Sequence, residues 1–563
     1  MKQLITTVFF ISLALFSNAQ TEEAYQKVKA EINNVELNQI HESTLQKQKK
    51  DLDKIEELQS SLGTSFVFHV EDDGTVTRLV GFEDNGFPVF YETDNVDAAI
   101  TTNTTPVKQG GASGYNLSGL GIVVGEWDGG PVRATHQEFG TRIVIQDTGS
   151  SSSHATHVAG TIMASGVDSA AEGMANNATL WSWDFFGDTP DMATFASGGN
   201  ILSNHSYGTI AGWRYRNQDT MWYWYGDTVI SQQRDRNFGR YTNGTAAWDN
   251  MVYNNPFYTI VKSAGNDRST VGPTSASGEH RVWDSGSSSW VTSFTSRPPS
   301  CPTGYNCIPT AGNAKNIITV GAVNDVPSYS GASSVPMSFF SGWGPTDDGR
   351  IKPDIVGNGV SVYSADNGSD TDYGTKSGTS MSGPNVAGNI ALLQEMSNNT
   401  NSSFLKAATM KALIIETALP AGNGVEPDYE FGWGLMNTKA AADVIAGSVN
   451  DTLIEDVLNN GNTFTFQVYS DGTAPLSVTA AWTDPAGNVP TYPAFNDTVP
   501  TLVNDLDLRI IDPSSTVLNP YILDPANPSM AATTGDNYRD NVEKVHIATP
   551  VAGWYTVQLT HKG

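Results

Sequence analysis

Cysteine is almost absent from this chain: its 563 residues include two, Cys301 and Cys307, close together in CPTGYNC. Two cysteines are too few to ligate a metal by themselves, whereas their spacing suits a small disulfide loop, the expected state in an oxidising compartment. Basic residues are scarce too, with 31 Lys and Arg against 59 Asp and Glu and a formal net charge of -28. That imbalance repels nucleic acid and anionic membrane surfaces and favours solubility and divalent cations, so nucleic-acid binding is excluded as a function class. Beyond the opening segment no apolar run is long enough to span a bilayer, and the mature chain is expected to carry no membrane anchor. Internal repeats are lacking, as is the HExxH pattern of a zinc hydrolase.

What is present is enough chain for two or more domains and a sizeable core. The opening MKQLITTVFFISLALFSNAQ has a lysine, an apolar stretch too short to cross a bilayer, and small residues at Ser17 and Ala19. This is the layout of a cleavable signal over residues 1–19, so the protein is expected to be secreted to the medium or the cell surface. Residues 20–110 follow as a charged unit. A stretch of helical periodicity, YQKVKAEINNVELNQI, leads into alternating strands with Asp-Gly and Asn-Gly turns, TSFVFHVEDDGTVTRLVGFEDNGFPVFYETD, and then into a linker-like TTNTTPVKQGGASG. Placed between a signal and a larger body, the unit suits a removable prosegment, and its composition fits a plain accessory domain as well.

Residues 111–447 alternate apolar strand-like runs (GIVVGEWD, TIVKSAGN, NIITVGAV) with helix-like ones (HVAGTIMASG, NVAGNIALLQEM, AATMKALIIETAL). Such alternation argues for an α/β domain on a parallel sheet flanked by helices. From 448 to 563 the pattern changes to short alternating strands such as TFTFQVYS, LDLRIID and WYTVQLTH, divided by turn residues, which reads as an all-β sandwich. The sequence stops abruptly after its last strand, which leaves room for a sorting domain beyond it. Within the α/β body, WRYRNQDTMWYWYGD is an aromatic-dense insertion, suited either to the wall of a cleft or to the packing of a long loop.

Parallel α/β sheets carry functional side chains at the carboxyl ends of their strands. Asp128 closes GIVVGEWD, Asn266 closes IVKSAGN, and Ser380 follows a glycine-rich turn at the start of a helix, with Pro384 expected in its first turn. His154 opens the helix-like HATHVAGTIMASG. Taken alone, each is a common turn or capping residue. Together they provide a hydroxyl nucleophile, an imidazole to carry its proton and a carboxylate to orient the imidazole. A strand-end amide and the backbone N–H of a helix-initial serine would add two donors for an oxyanion. His157 lies one helical turn from His154 and would share its face, but no third metal ligand is evident, so His157 is expected to be a packed or hydrogen-bonded neighbour.

The blocks GEWDGG, SHATHVAGT, SNHSYG, KSAGND, GRIKPDI and SGTSMSGPNVAG, in that order, resemble the signature blocks of the subtilisin-like serine proteases, and FGWGLMN resembles the segment that closes their catalytic domain. The resemblance implies a subtilisin-like fold and hydrolysis of protein or peptide substrates, with Asp128 as orienting carboxylate, His154 as general base and acid, Ser380 as nucleophile and Asn266 as oxyanion donor. It implies substrate pairing along Ser206, Tyr207 and Gly208, with Gly265 beside them, and a prosegment that assists folding and blocks the cleft. Departures exist: WDGG replaces Asp-Ser-Gly or Asp-Thr-Gly, Ala155 stands where glycine is usual, and Asn385 stands where histidine is common. Glu126 points to the same strand face as Asp128 and is the rival acid; the glycine after Asp128 matches the family and favours Asp128. Asp267, beside Asn266, is expected to favour a basic residue before the cleaved bond.

The C-terminal sandwich resembles the jelly-roll-like domains of proprotein convertases and of certain alkaline secreted bacterial subtilases. That likeness implies a structural calcium held by Asn504, Asp505, Asp507, Asp540 and Asn541, whose alternative is a set of solvated turn residues. A second class also stands, a non-catalytic binding protein that keeps the fold without the chemistry.

Overall fold

The structure, a computed structural model of the chain, describes residues 22–62, 67–70, 76–83, 85–93, 100–275, 277–422, 427–448 and 452–562. The expected signal over residues 1–19 lies outside the described residues.

The strands Val123–Asp128, Thr259–Ser263 and Ile318–Val323 are rich in β-branched residues and almost wholly buried, as strands covered on both faces must be. They belong to a seven-stranded sheet that runs, edge to edge, Ile355–Asn358, Ile318–Val323, Thr259–Ser263, Leu202–His205, Val123–Asp128, Thr179–Asp184, Ile143–Ile145. Every neighbouring pair is parallel. The chain enters at Val123–Asp128, builds outward to one edge, and returns to Leu202–His205 on the other side of its first strand. That reversal is a topological switch point, where a crevice opens beyond the strand ends. Asp128 and Ser206 lie on its two sides.

Alternation along the strands divides the core between two faces. Val124 and Leu180 pack with the helices Ser153–Met163 and Thr379–Asn401. Trp127 and Trp183 stack on each other at 4.3 Å on the opposite face, against the helices Asp188–Ser197 and Asn243–Asn254. Glu126 and Asp128 therefore share the face of the first two helices.

The N-terminal region forms a helix over residues 22–31, a second helix Asn34–Leu62, and the strands Phe68–Val70, Val76–Phe82 and Pro88–Thr93. The long helix packs on Asp188–Ser197 and Asn243–Asn254, and Leu37 enters their core. Arg78 bridges to Asp184 at 2.6 Å and Arg240 to Glu83 at 2.9 Å, tying this region to the α/β body. The aromatic insertion packs as a sheet of its own, Trp213–Arg216 and Met221–Trp224 with His280–Asp284 and Ser289–Ser293, and buries Trp213 and Trp224. Tyr223, Tyr225 and Trp283 of this sheet share a core with Leu79 and Phe90 of the N-terminal strands, so the insertion is the support on which those strands lie.

One expectation fails. The stretch read as a linker is partly packed into the body: Thr101, Thr102, Thr104, Val107 and Lys108 are buried, Thr104 donates to Asn389 Oδ1 at 2.7 Å, and Thr102 accepts from Asn385 and Asn389. Threonines that look solvated by composition here satisfy buried amides of the helix Thr379–Asn401, so the α/β body takes in the residues from about position 100.

The C-terminal strands form a sandwich. Thr463–Ser470, Gly553–His561, Leu506–Ile511 and Val517–Leu518 face Leu476–Ala481 and Val542–Ile547 across a core of Leu508, Ile510, Val545, Tyr555 and Val557. It is fastened to the α/β body by Lys315, whose ammonium lies 2.8 Å from Asp484 with both side chains fully buried. Asn316 adds reciprocal bonds to the Asp484 backbone. Removing one partner of a buried pair strands the other charge, so Lys315→Met should lose about 3–5 kcal/mol in denaturant unfolding. A loss under about 1 kcal/mol would place the pair in the class of solvated surface bridges.

Candidate active site

Asp128 is the last residue of its strand, and the Gly129 N–H donates to its Oδ1 at 2.7 Å. His154 is the second residue of the helix Ser153–Met163, whose start is fixed by the Ser152 hydroxyl accepting from the Ala155 N–H. The His154 Nδ1 lies 2.7 Å from both carboxylate oxygens of Asp128, and the two side chains are out of water. A carboxylate accepts, so the proton sits on Nδ1 and the lone pair on Nε2. Ala155, where glycine is usual, is buried without disturbing this bond.

Ser380 is the second residue of the helix Thr379–Asn401. Pro384 falls in the second turn of that helix and not the first, and it has no N–H to give to the carbonyl four residues back, that of Ser380. The Ser206 hydroxyl fills the gap, donating to Ser380 O at 2.8 Å, and itself accepts from Asn204 Nδ2 at 2.9 Å. In return the Ser380 Oγ donates to Ser206 O at 2.6 Å. The nucleophile candidate is thus clipped to the strand end that sequence resemblance assigns to substrate pairing.

Asn266 is oriented by a residue that sequence reasoning passed over. Thr379 donates to its Oδ1 through both N–H, at 2.9 Å, and hydroxyl, at 3.0 Å. A backbone N–H only donates, so the bonded atom is the carbonyl oxygen, and Nδ2 is the free-facing end of the amide. The same hydroxyl accepts from the Gly265 N–H at 3.1 Å. Gly265 has φ +91°, and a Cβ there would lie 2.8 Å from Pro309 Cδ, so the turn into Asn266 requires glycine. The signal for Thr379 was its place directly before Ser380.

Glu126 is buried with neither carboxylate oxygen hydrogen-bonded, and burial, then the nearby Asp128, hold its pKa well above the usual carboxyl range. The neutral acid therefore prevails on this residue while Asp128 takes the imidazole: two acids on one strand face, separated in role by their surroundings. His157 is pushed down to about 3, by burial first and Lys376 second, and its Nε2 lies 3.2 Å from the carbonyls of Val362 and Gly374. It is a neutral donor to backbone. The Asp267 carboxylate, expected to meet a basic substrate side chain, is held instead by Arg214 at 2.6 Å and is buried. Asn385 donates to Thr102 Oγ1 and to Met174 Sδ, a buried packing role in place of the usual histidine.

The strand Tyr207–Thr209 is paired. Pro88–Thr93 runs antiparallel along it with Tyr91 opposite Thr209, Glu92 opposite Gly208 and Thr93 opposite Tyr207. Cys301 and Cys307 form a disulfide. The five residues read as calcium ligands each bond to groups of the protein itself. Asp505 and Asp507 meet the Lys562 ammonium at 3.3 and 3.0 Å, while Asp540 accepts from the Ile351 N–H and Asn541 donates to Asn316. The Asn504 N–H donates to Asp484. Among the described residues no group of three or more His, Cys, Asp or Glu side chains is arranged to hold a metal, and no helix is long and apolar enough to cross a membrane.

The subtilase family model matches residues 133–434, more than half of the chain. The chain belongs to the subtilase family. His154, Asn266 and Ser380 lie inside the match, and Asp128 lies just before it. Over 135 residues, 21% of this chain and 7% of the relative, this subtilase is 32% identical to the PII-type proteinase of Lactococcus lactis subsp. cremoris. Over 84 residues, 15% of this chain and 7% of the relative, it is 45% identical to the C5a peptidase of Streptococcus pyogenes serotype M3. Each match thus spans a small part of a much longer curated relative. Among solved structures, the self-cleaved protease domain of PatA aligns at 19% identity with a TM-score of 0.39, covering 59% of this chain and 99% of that one.

The buried acid gives a test. A raised pKa means that folded Glu126 keeps its proton where the unfolded chain has lost it, so its contribution to stability falls as pH rises above the ordinary carboxyl value of 4.5. Glu126→Gln has no such proton to lose. Its thermal stability relative to wild type should rise from about pH 5 to about pH 8, and a flat difference would show Glu126 titrating as an ordinary carboxyl.

Proposed function

We propose that this subtilase is a secreted serine endopeptidase acting on broad protein substrates. The observation that carries the reading is the fixed pair of His154 and Asp128, 2.7 Å apart and out of water, in a protein where Thr379 sets Asn266 beside Ser380. Ser380 attacks the scissile carbonyl, and His154 Nε2 takes its proton and returns it to the leaving amine. Asp128 holds the imidazole in the Nδ1–H tautomer and stabilises its cation. Asn266 Nδ2 and the Ser380 N–H, one of the unsatisfied donors at a helix start, receive the oxyanion.

The resting bond of Ser380 gives this reading a trigger. An extended substrate laid along Ser206, Tyr207 and Gly208 needs the Ser206 carbonyl for its own N–H. Its arrival displaces the Ser380 hydroxyl from that carbonyl, and a side-chain rotation delivers the hydroxyl to His154. In the zymogen form, the region from Gln20 through the strand Pro88–Thr93 occupies the substrate strand and serves as the inhibitory prosegment, its removal point falling before the buried stretch that opens the α/β body. The apolar opening segment directs export, which agrees with the disulfide. For calcium, Asp505 and Asp507 are the pair suited to it, in competition with Lys562 for the same oxygens. A melting temperature that calcium raises and a chelator lowers supports that site, and an unchanged one removes it.

Mass spectrometry of the processed protein after exposure to a fluorophosphonate should find one adduct, on Ser380, absent in His154→Ala. No adduct on folded, processed wild type would leave the non-catalytic binding reading in its place. Asn266→Ala should lower kcat about a hundred- to a thousandfold, a magnitude borrowed from the same substitution class in subtilisin. A loss under about tenfold would remove Asn266 from the oxyanion site.

A further inference from the structure

The aromatic insertion takes no part in the peptidase chemistry, yet it meets the chain that covers the substrate strand. The antiparallel pairing of Pro88–Thr93 with Tyr207–Thr209 runs one residue further, because the Ile210 N–H donates to the carbonyl of Phe90 at 2.8 Å. Side chains alternate along an extended chain, so Phe90 and Tyr91 face opposite ways. Tyr91 turns to the α/β body, its ring 5.7 Å from that of Phe185 and 5.3 Å from that of Tyr207. Phe90 turns to the insertion, edge to face with Tyr225 at 5.3 Å and 6.4 Å from Trp290, and is 3% exposed. Trp290 in turn stands edge to face with Tyr223 at 4.9 Å and with Tyr225 at 5.1 Å. These rings and Ile210 belong to the body's share of the apolar cluster around Phe90, while Leu79 and Phe87 belong to the share of the N-terminal region.

We infer that this face of the insertion is a substrate subsite for an aromatic side chain, opposite Ile210 and remote from the cleaved bond. The inference rests on the peptidase reading above, with the N-terminal region as a prosegment that leaves. The Ser380 hydroxyl lies at Ser206 O, so the substrate residue opposite Ser206 is the one that supplies the scissile carbonyl. In antiparallel register the residues before it stand opposite Tyr207, Gly208, Thr209 and Ile210 in turn. The subsite therefore takes the fourth residue before the one that is attacked. The Phe90 ring shows the space to be there, and departure of the N-terminal region frees that space and the Ile210 N–H together. A substrate chain that adds itself to the strand in place of Pro88–Thr93 gains the main-chain bond, and its side chain decides how well it fits. Removal of the covering region uncovers apolar rings, and a substrate ring that covers them again recovers part of the lost burial. The edge-to-face arrangement already built from Tyr223, Tyr225 and Trp290 favours a further aromatic ring over an aliphatic side chain of similar bulk.

The test uses the processed enzyme, with mass spectrometry to establish that the N-terminal region has gone. The fluorogenic peptides are identical except at the fourth residue before the attacked one, which is Phe, Leu or Ser. Tyrosine is kept at the residue after it, so that the contact opposite Thr209 is constant. We expect kcat/KM for the Phe peptide to exceed that for the Ser peptide by about tenfold, with Leu between them. Trp290→Ala should cut that ratio by about threefold or more. Trp290→Leu keeps apolar bulk without the ring, and it stands in for Trp290→Ala should the latter yield no processed enzyme; the preference for Phe over Leu should then be lost. A wild-type ratio under about threefold on enzyme whose Ser380 takes the fluorophosphonate would overturn the inference, as would a preference undiminished in the Trp290 variant. Active enzyme that keeps its N-terminal region also overturns it, since Phe90 then holds the place. Wild type whose Ser380 takes no fluorophosphonate overturns the peptidase reading, and this inference with it.

Discussion

The Asp128 carboxylate is held out of water against the His154 imidazole, and keeping an acid in such a place constrains everything around it. A parallel sheet buried on both faces excludes water from the strand end, which strengthens each polar contact there and penalises each unpaired one. Gly129 answers with a backbone N–H and His154 with its Nδ1–H. A second full charge two residues away on the same strand face would be intolerable, and Glu126 escapes the conflict by keeping its proton. The switch point of the sheet then decides the rest of the layout. It sets Ser206 across the crevice from Asp128 and leaves room above both for the start of the helix that carries Ser380.

Ser206 is the joint between that helix and the sheet. Proline at position 384 withdraws one intrahelical bond, and the freed carbonyl gives the Ser206 hydroxyl something to hold. Proline inside a helix is ordinarily disruptive. Here it exchanges a local bond for one between residues 174 positions apart, which pins the helix start against the chain at Ser206. Thr379 does the equivalent on the other side, binding Asn266 and Gly265 to the same turn. The start of the helix at Ser380 is therefore clamped from both flanks, by Ser206 and by Thr379.

Much of this was legible before any coordinates. Strand and helix periodicity marked the parallel α/β body and the C-terminal all-β domain, and the polar residues that end apolar runs were the ones the sheet gathers at its carboxyl edge. Other features were hidden because they are set by partners remote in sequence. Asp267 looks available beside Asn266 until Arg214 is seen to hold it. Thr102 and Thr104 look like linker until Asn385 and Asn389 are found beneath them. Asp540 and Asn541 bond to Ile351 and Asn316 of the α/β body, partners that composition does not reveal. Pattern reveals which face a residue takes; it does not reveal what waits there.

The pairing of Pro88–Thr93 with Tyr207–Thr209 joins two parts of one molecule. While the chain is continuous, the covering strand faces its target at an effective concentration that tethering sets, commonly in the millimolar range, whatever the amount of protein in solution. One cut between them turns the same contacts into an encounter between two molecules governed by bulk dilution. Identical contacts therefore hold more firmly in the continuous chain than after a cut, without any change in their strength.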